Sequence, residues 1–329
     1  QRRAPFPAAA RYRAEQPLEL MHGDLCGPVS PPTFTGKQYF LLLVDDNSRF
    51  MWVQLIRSKD EAFVALKKVK AAVELKKDVK LRALRTDRGG EFTSKEFEFY
   101  CEELGITHYL TAPYSPQQNG VVERRNQTMI NMARSMMKSK GLPGAFWGEA
   151  VVAAVYLLNR APTKSLIGMT PYEAMYGKKP SVEHLRTFGC VRYVKKVAGH
   201  LPKLADRSSA MVFIGYEPKS KAYRMDDPEK KKLCVSRDVV FAEDEQWKWD
   251  SETMENLTSM GTFSVQYTVP VSEPEAIRTP GTGGAKPEST IGTPATPGTS
   301  TSSESTASTM GTPYTQGPPT SSEITPSPW

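Results

Sequence analysis

Three acidic residues carry the chemistry most open to reading in this 329-residue chain: Asp24 in HGDLCGP, Asp87 in LRTDRGGEF and Glu123 in NGVVERRNQT. Carboxylate oxygens are the ligands that hard Mg2+ and Mn2+ ions take. Phosphodiester cleavage and joining near neutral pH calls for two such ions, one activating the attacking oxygen and one stabilising the leaving oxygen. The acids are far apart in sequence, so they can act together only if the fold gathers them. Each also has an ordinary explanation. A strand-end Asp is commonly a turn or cap residue, and Glu123 could lie on the solvated side of an amphipathic helix.

The surrounding elements decide between these readings. LELMHGDL reads as a short strand ending at Asp24, KQYFLLLVDD as a buried strand, and RFMWVQLI as its hairpin partner across Asn47 and Ser48. VKLRALRTD reads as a fourth strand ending at Asp87, and ITHYLT as a fifth after Gly105. Ser58 with Glu61, and Thr93 with Glu96, read as capping boxes that open two helices. The first helix repeats Ala62, Phe63, Leu66, Val69 and Val73 at helical spacing, and the second runs to about Leu104. A helical link into the fourth strand implies a parallel crossover, which sets the ends of the first and fourth strands side by side. Asp45 and Asp46 are rival strand-end acids, but they lead into the hairpin and read as turn formers.

Glu123 opens a long helix after the loop APYSPQQNG. At about 100° per residue, Val122, Met129, Ile130, Ala133, Met136 and Met137 share one arc, the core face. Glu123, Gln127, Asn131, Arg134 and Lys138 fill the adjoining arc. Such a face could hold a metal at one end and run along a DNA backbone beyond it. Further helices fit residues 143–160 and 171–176, the latter with Thr170 as cap, Pro171 in its first turn and Gly177 at its end. Strand, hairpin, helix, strand, helix, strand resembles the ribonuclease H-like order. The expected fold class is therefore α/β, a mixed five-stranded sheet with flanking helices.

Beyond it, FGCVRYV, AMVFIGY, AYRMDD and LCVSRDVVF read as a small β-rich module. After Trp249 more than half of the residues are Ser, Thr, Pro or Gly, the composition of a disordered linker. The expected organisation is an arm (1–17), an α/β core (18–180), the β-rich module (181–250) and the linker (251–329).

The formal net charge is +7, but residues 1–250 hold 41 basic and 29 acidic side chains, a net +12 that favours a polyanionic partner. Cys26, Cys101, Cys190 and Cys234 show no CxxC pairing, and His22, His108, His184 and His200 form no HxxxH or HExxH pair. Neither a disulfide framework nor a zinc site is expected. No apolar run approaches about 18 residues, so neither membrane insertion nor secretion is expected. Gln1 as the first residue suggests a fragment or processed product.

Taken with LLLVDDNSRFMWV, APYSPQQNGVVERRNQT, FWGEAVVAAVYLLNRAPTKS, MTPYEAMYG, LRTFGCVRYV and VSRDVVF, the three acidic motifs resemble the integrase of copia-type long-terminal-repeat retrotransposons, part of a Pol polyprotein. The resemblance covers residues 18 to about 243 and includes the 35 residues between Asp87 and Glu123. It implies a retroviral-type integrase core whose catalytic and metal-binding triad is Asp24, Asp87 and Glu123, served by two Mg2+ or Mn2+ ions. Its implied reaction joins the 3'-hydroxyl ends of element cDNA to chromosomal DNA, with end nicking as a related activity. Tyr114, Gln117 and Asn119 match the family's loop before the third acid and become candidate DNA contacts beside Gln127, Asn131, Arg134 and Lys138. The implied partners are DNA, further copies of the chain and other Pol segments. The implied setting is the nucleus, after a cytoplasmic particle. Such integrases carry an amino-terminal His/Cys zinc module, whereas 17 residues precede the core here, so an inactive nucleic-acid-binding relic and a structural Pol fragment are the alternatives to an active enzyme.

Overall fold

A computed structural model describes residues 12–111, 119–195, 207–218, 220–249 and 263–265. The expected linker lies almost wholly outside them. The first sheet is built from β1 (Met21–Cys26), β3 (Tyr39–Asp45), β4 (Met51–Ile56), β5 (Ala83–Thr86) and β6 (Thr107–Leu110), in the order β4-β3-β1-β5-β6. β3 is antiparallel to β1 and β4, whereas β5 is parallel to β1 and β6. This is the expected mixed five-stranded sheet. β3 runs YFLLLVD, apolar on both faces, because helices cover both sides. On one side Leu41 and Leu43 pack with Phe63, Leu66 and Val69 of α1 (Ala62–Lys77) and Phe97 of α2 (Lys95–Glu103). On the other, Phe40, Leu42 and Val44 meet Met129, Ile130 and Ala133 of α3 (Gly120–Ser139) and Val151 of α4 (Trp147–Leu158).

Local chemistry shifts three expected boundaries. The first strand begins at Met21, because Leu18 occupies a turn with φ 66° and donates its N–H to Oδ1 of Asp45 at 2.7 Å. Ser58 caps nothing. A 3-10 turn over Lys59–Glu61 carries Glu61 back onto the N–H of Arg57 at 3.0 Å, and α1 starts only at Ala62. The cap of α2 is Ser94, whose Oγ accepts from the N–H of Phe97 at 3.2 Å. Thr93 instead donates to the carbonyl of Gly89 at 3.2 Å and so belongs to the loop that follows Asp87. By contrast α5 (Pro171–Tyr176) has the expected Thr170 cap, early Pro and left-handed Gly177 at φ 70°.

Asp45 and Asp46 brace the hairpin and more. Asp45 accepts from Leu18, from the N–H of Ser48 and from its hydroxyl. Asp46 accepts from the N–H of Ala14, from Arg49 and from the buried ring of His22. Burial alone would raise the carboxyl of Asp46, yet these partners hold it well below the usual carboxylate range.

The second sheet is antiparallel, with order β10-β9-β8-β7-β11 across β7 (Cys190–Lys195), β8 (Ser208–Tyr216), β9 (Tyr223–Asp227), β10 (Lys232–Ser236) and β11 (Val239–Gln246). The run LCVSRDVVF therefore divides between two strands. Arg192 is buried inside this sheet with its guanidinium 3.8 Å from the Phe241 ring centre and 4.3 Å from that of Phe213. Burial lowers its pKa to about 10. Val212 and Ile214 of β8 join the core shared with α4, and Arg224 pairs with Glu149 at 3.0 Å. Finally, β12 (Ser264–Val265) pairs with β2 (Val29–Ser30), which follows β1 directly.

Candidate active site

The parallel register of β1 and β5 runs toward the two aspartates. Met21 pairs with Leu84 and His22 with Arg85, Asp24 and Asp87 each follow two residues later, and the charge of Asp87 reaches Asp24. That relation was expected from the crossover alone. α3 lies against β1 and β3, and Glu123 is in its first turn. Glu123 stays on the accessible side, where the charges of Asp24 and Asp87 reach it.

Asp24 is held from two sides. The thiol of Cys26 and the side-chain amide of Asn126 both donate to its Oδ2, at 3.1 and 2.8 Å. Burial raises its pKa, these two bonds oppose the rise, and the charge of Asp87 adds to it. The Cys26 thiol is pushed far up by burial and by Asp24 beside it, so it remains a neutral donor. Glu123 is raised by burial and by Asp24, against the pull of Arg124.

A fourth acid shares this field. Oδ1 of Asp87 accepts the N–H of Gly89 at 3.1 Å, turning the chain back so that the carboxylate of Glu91 folds over Gly89. A Cβ on Gly89 would meet Oε1 of Glu91 at 2.5 Å, a contact relieved only by a shift of the Glu91 carboxylate. Burial raises Glu91, and the charges of Asp87 and Asp24 raise it further.

The donor chemistry suits a hard cation. Two buried amide oxygens, Oδ1 of Asn126 and Oδ1 of Asn119, have no hydrogen-bond partner among the described residues; the Asn126 side chain bonds Asp24, and that of Asn119 bonds the carbonyl of Gly23 next to it. Oxygen-only donors of this kind fit Mg2+ or Mn2+. Among the described residues, however, no group of three or more His, Cys, Asp or Glu side chains is gathered closely enough to hold a metal ion as it stands. The acids share one electrostatic neighbourhood without yet sharing a coordination sphere.

The remaining sites separate into three groups. Tyr114 and Gln117 lie outside the described residues. Gln127, Asn131 and Lys138 are exposed along α3, where Gln127 donates to Asn131 at 3.0 Å. Asn119 and Arg134 are engaged by the chain itself. Asn119 is buried with its amide 3.4 Å from the carbonyl of Gly23, and Arg134 lies over the ring of Phe263 at 5.2 Å. Sequence reasoning missed Asn126, Cys26 and Glu91. Asn126 could have been found as the one amide within the apolar arc of α3, 40° from Val122 at about 100° per residue.

Two protein-family models match the chain. Residues 14–116 match the integrase core domain, and residues 190–255 match the retroviral polymerase SH3-like domain. The chain is 44% identical over 228 residues to the retrovirus-related Pol polyprotein from transposon TNT 1-94 of Nicotiana tabacum, covering 69% of this chain and 17% of the relative. It is 29% identical over 231 residues to that from transposon RE2 of Arabidopsis thaliana, covering 70% and 16%. The chain thus spans about a sixth of the length of these curated relatives.

Among solved structures it is similar to the simian T-cell lymphotropic virus intasome in complex with PP2A regulatory subunit B56 gamma, at TM-score 0.45 and 18% identity over 71% of this chain and 81% of that one. It is also similar to the HTLV-2 integrase catalytic core domain in complex with magnesium, at TM-score 0.38 and 21% identity over 50% of this chain and 100% of that one. With an integrase core domain followed by a retroviral SH3-like domain, the chain belongs to the integrase region of copia-type retrotransposon Pol polyproteins.

Proposed function

We propose that the chain is the strand-joining core of a retrotransposon integrase, a polynucleotidyl transferase that uses divalent cations to join element cDNA ends to target DNA. The observation that supports this reading best is the parallel register of β1 and β5, which runs toward Asp24 and Asp87, with Glu123 in the field of both. Asp24, Asp87 and Glu123 would hold Mg2+ or Mn2+, and the bound ions would supply activation of the attacking oxygen and charge stabilisation on the leaving one.

The chain's own residues prepare that chemistry. Cys26 and Asn126 fix the orientation of Asp24 by donating to one oxygen and leaving the other unbonded by them. Asp87 is anchored through Oδ1 to the N–H of Gly89. Gln127, Asn131 and Lys138 extend from Glu123 along one accessible line of α3, where a phosphate backbone could be followed. The proposal includes DNA and further copies of the chain as partners in the active assembly, acting in the nucleus.

The test is an assay with labelled terminal-repeat oligonucleotides, plasmid target and Mg2+, run on the wild type and on Asp87→Asn. Joining or nicking by the wild type and its loss in the variant is the expected result. Retained DNA binding without wild-type joining or nicking would refute an active enzyme, and equal activity in both proteins would remove Asp87 from the site.

A further inference from the structure

A cavity of about 350 Å3 opens at the β4 edge of the core, where α4 and α5 face the β8–β9 hairpin of the SH3-like domain. It is not the carboxylate site. Val53 in its wall pairs with Leu42, which pairs with Asp24, so β3 stands between the two. Its size is near the lower end for small-molecule sites.

The walls are flat and aromatic. Tyr156 and Tyr216 stack with centroids 4.4 Å apart at 19°, and Tyr172, Tyr176, Trp52 and Tyr223 are among the other residues that line the cavity. Cations are set against these rings. The Arg160 guanidinium lies 3.4 Å from the Tyr156 ring centre and 5.2 Å from that of Tyr172, and the Lys76 ammonium lies 4.2 Å from that of Tyr176. Burial and the neighbouring charges of Lys178 and Arg160 lower the pKa of Lys76, and burial lowers that of Arg160. The cavity therefore pairs ring faces with closely spaced positive charge. Of the two acids in the lining, Glu149 is paired with Arg224 at 3.0 Å and Glu217 lies on the side of the β8–β9 hairpin.

We propose that this cavity takes one unpaired nucleotide of a DNA strand, its base against the tyrosine rings and its phosphate at Arg160 and Lys76. Stacking on aromatic faces beside a basic track is how single strands are held without regard to sequence. A base paired within a duplex cannot present its face in this way. The inference rests on the DNA-binding part of the proposed function and adds a preference for unpaired DNA at a second place on the molecule.

The experiment uses the full chain in EDTA, which removes cation-dependent binding at the carboxylates. Anisotropy is read with a fluorescein-labelled oligonucleotide, single-stranded and as the blunt duplex of the same sequence. In Lys76→Gln and Arg160→Gln, single-strand affinity is expected to fall about five- to tenfold while duplex affinity changes less than about twofold. Lys76 is exposed on α1, so its variant tests the site without endangering the fold. Crosslinking of a 5-iodouracil-substituted strand is expected to mark Phe50–Trp52 or Tyr172–Tyr176. Unchanged single-strand affinity in Lys76→Gln, with crosslinks confined to other segments, would overturn the inference alone. So would capture of poly(Glu,Tyr) at the cavity with no single-strand binding, which would assign it to an acidic peptide. No binding of either DNA form would overturn both this inference and the proposed function.

Discussion

The side-chain amide of Asn126 donates to Oδ2 of Asp24 at 2.8 Å, a bond across 102 residues that ties α3 to β1. Asn126 is buried and Asp24 half-buried, so loss of the bond leaves a carboxylate oxygen with one donor fewer. Asn126→Leu is expected to destabilise the fold by about 1–2 kcal/mol, measured by urea denaturation, and to reduce strand joining. An unchanged midpoint with full joining would show that the bond positions nothing.

Glu123 is exposed and contributes to the site through charge. Glu123→Gln should therefore leave stability in metal-free buffer within about 0.5 kcal/mol of the wild type. The stabilisation that Mn2+ gives the wild type should shrink in this variant, because one carboxylate ligand is gone. Equal Mn2+ shifts in thermal melting would place the ion elsewhere.

The sheet order and the place of Asp24 and Asp87 were legible because β-strand period and the parallel crossover depend on local pattern. The place of the third acid at a helix start was legible too, whereas its proposed role came from the family resemblance. Asn126 was not, because its role depends on a contact with a strand 102 residues away. The caps were misplaced for a similar reason. Thr93 and Ser94 are equally good cap residues in sequence, and only the return of the chain from Asp87 to Gly89 claims Thr93 for the loop. Arg134 reads as a solvent-facing cation until Phe263, far along the chain, comes to lie beneath it.

That contact gives a further test. Phe263 is buried against Trp147, with centroids 6.2 Å apart, and it underlies Arg134 on the same helix as Glu123. Phe263→Ala should cost about 3 kcal/mol of stability by the loss of a buried ring. Truncation before residue 263 should have the same effect. Wild-type stability in either protein would show that this segment does not pack on the core.

In the SH3-like domain, burial and the charges of Asp227 and Glu149 raise Asp226 from 3.8 to about 6. A folded-state value above the unfolded one means that the ionised group opposes folding. The penalty is complete above about pH 6 and relieved as pH falls from there toward 3.8. Asp226→Asn is thus expected to raise the melting temperature at pH 7.5 and to lose that advantage near pH 4. An equal gain at both values would assign the effect to packing instead of charge.

The cation site itself is reached most directly by diffraction at the manganese edge from crystals of the chain soaked in Mn2+. An anomalous peak between the carboxylates of Asp24 and Asp87, absent in Asp87→Asn, is the expected result. A peak remote from both aspartates, or one that survives in Asp87→Asn with undiminished height, would contradict the assignment of Asp24, Asp87 and Glu123 as one metal-binding site.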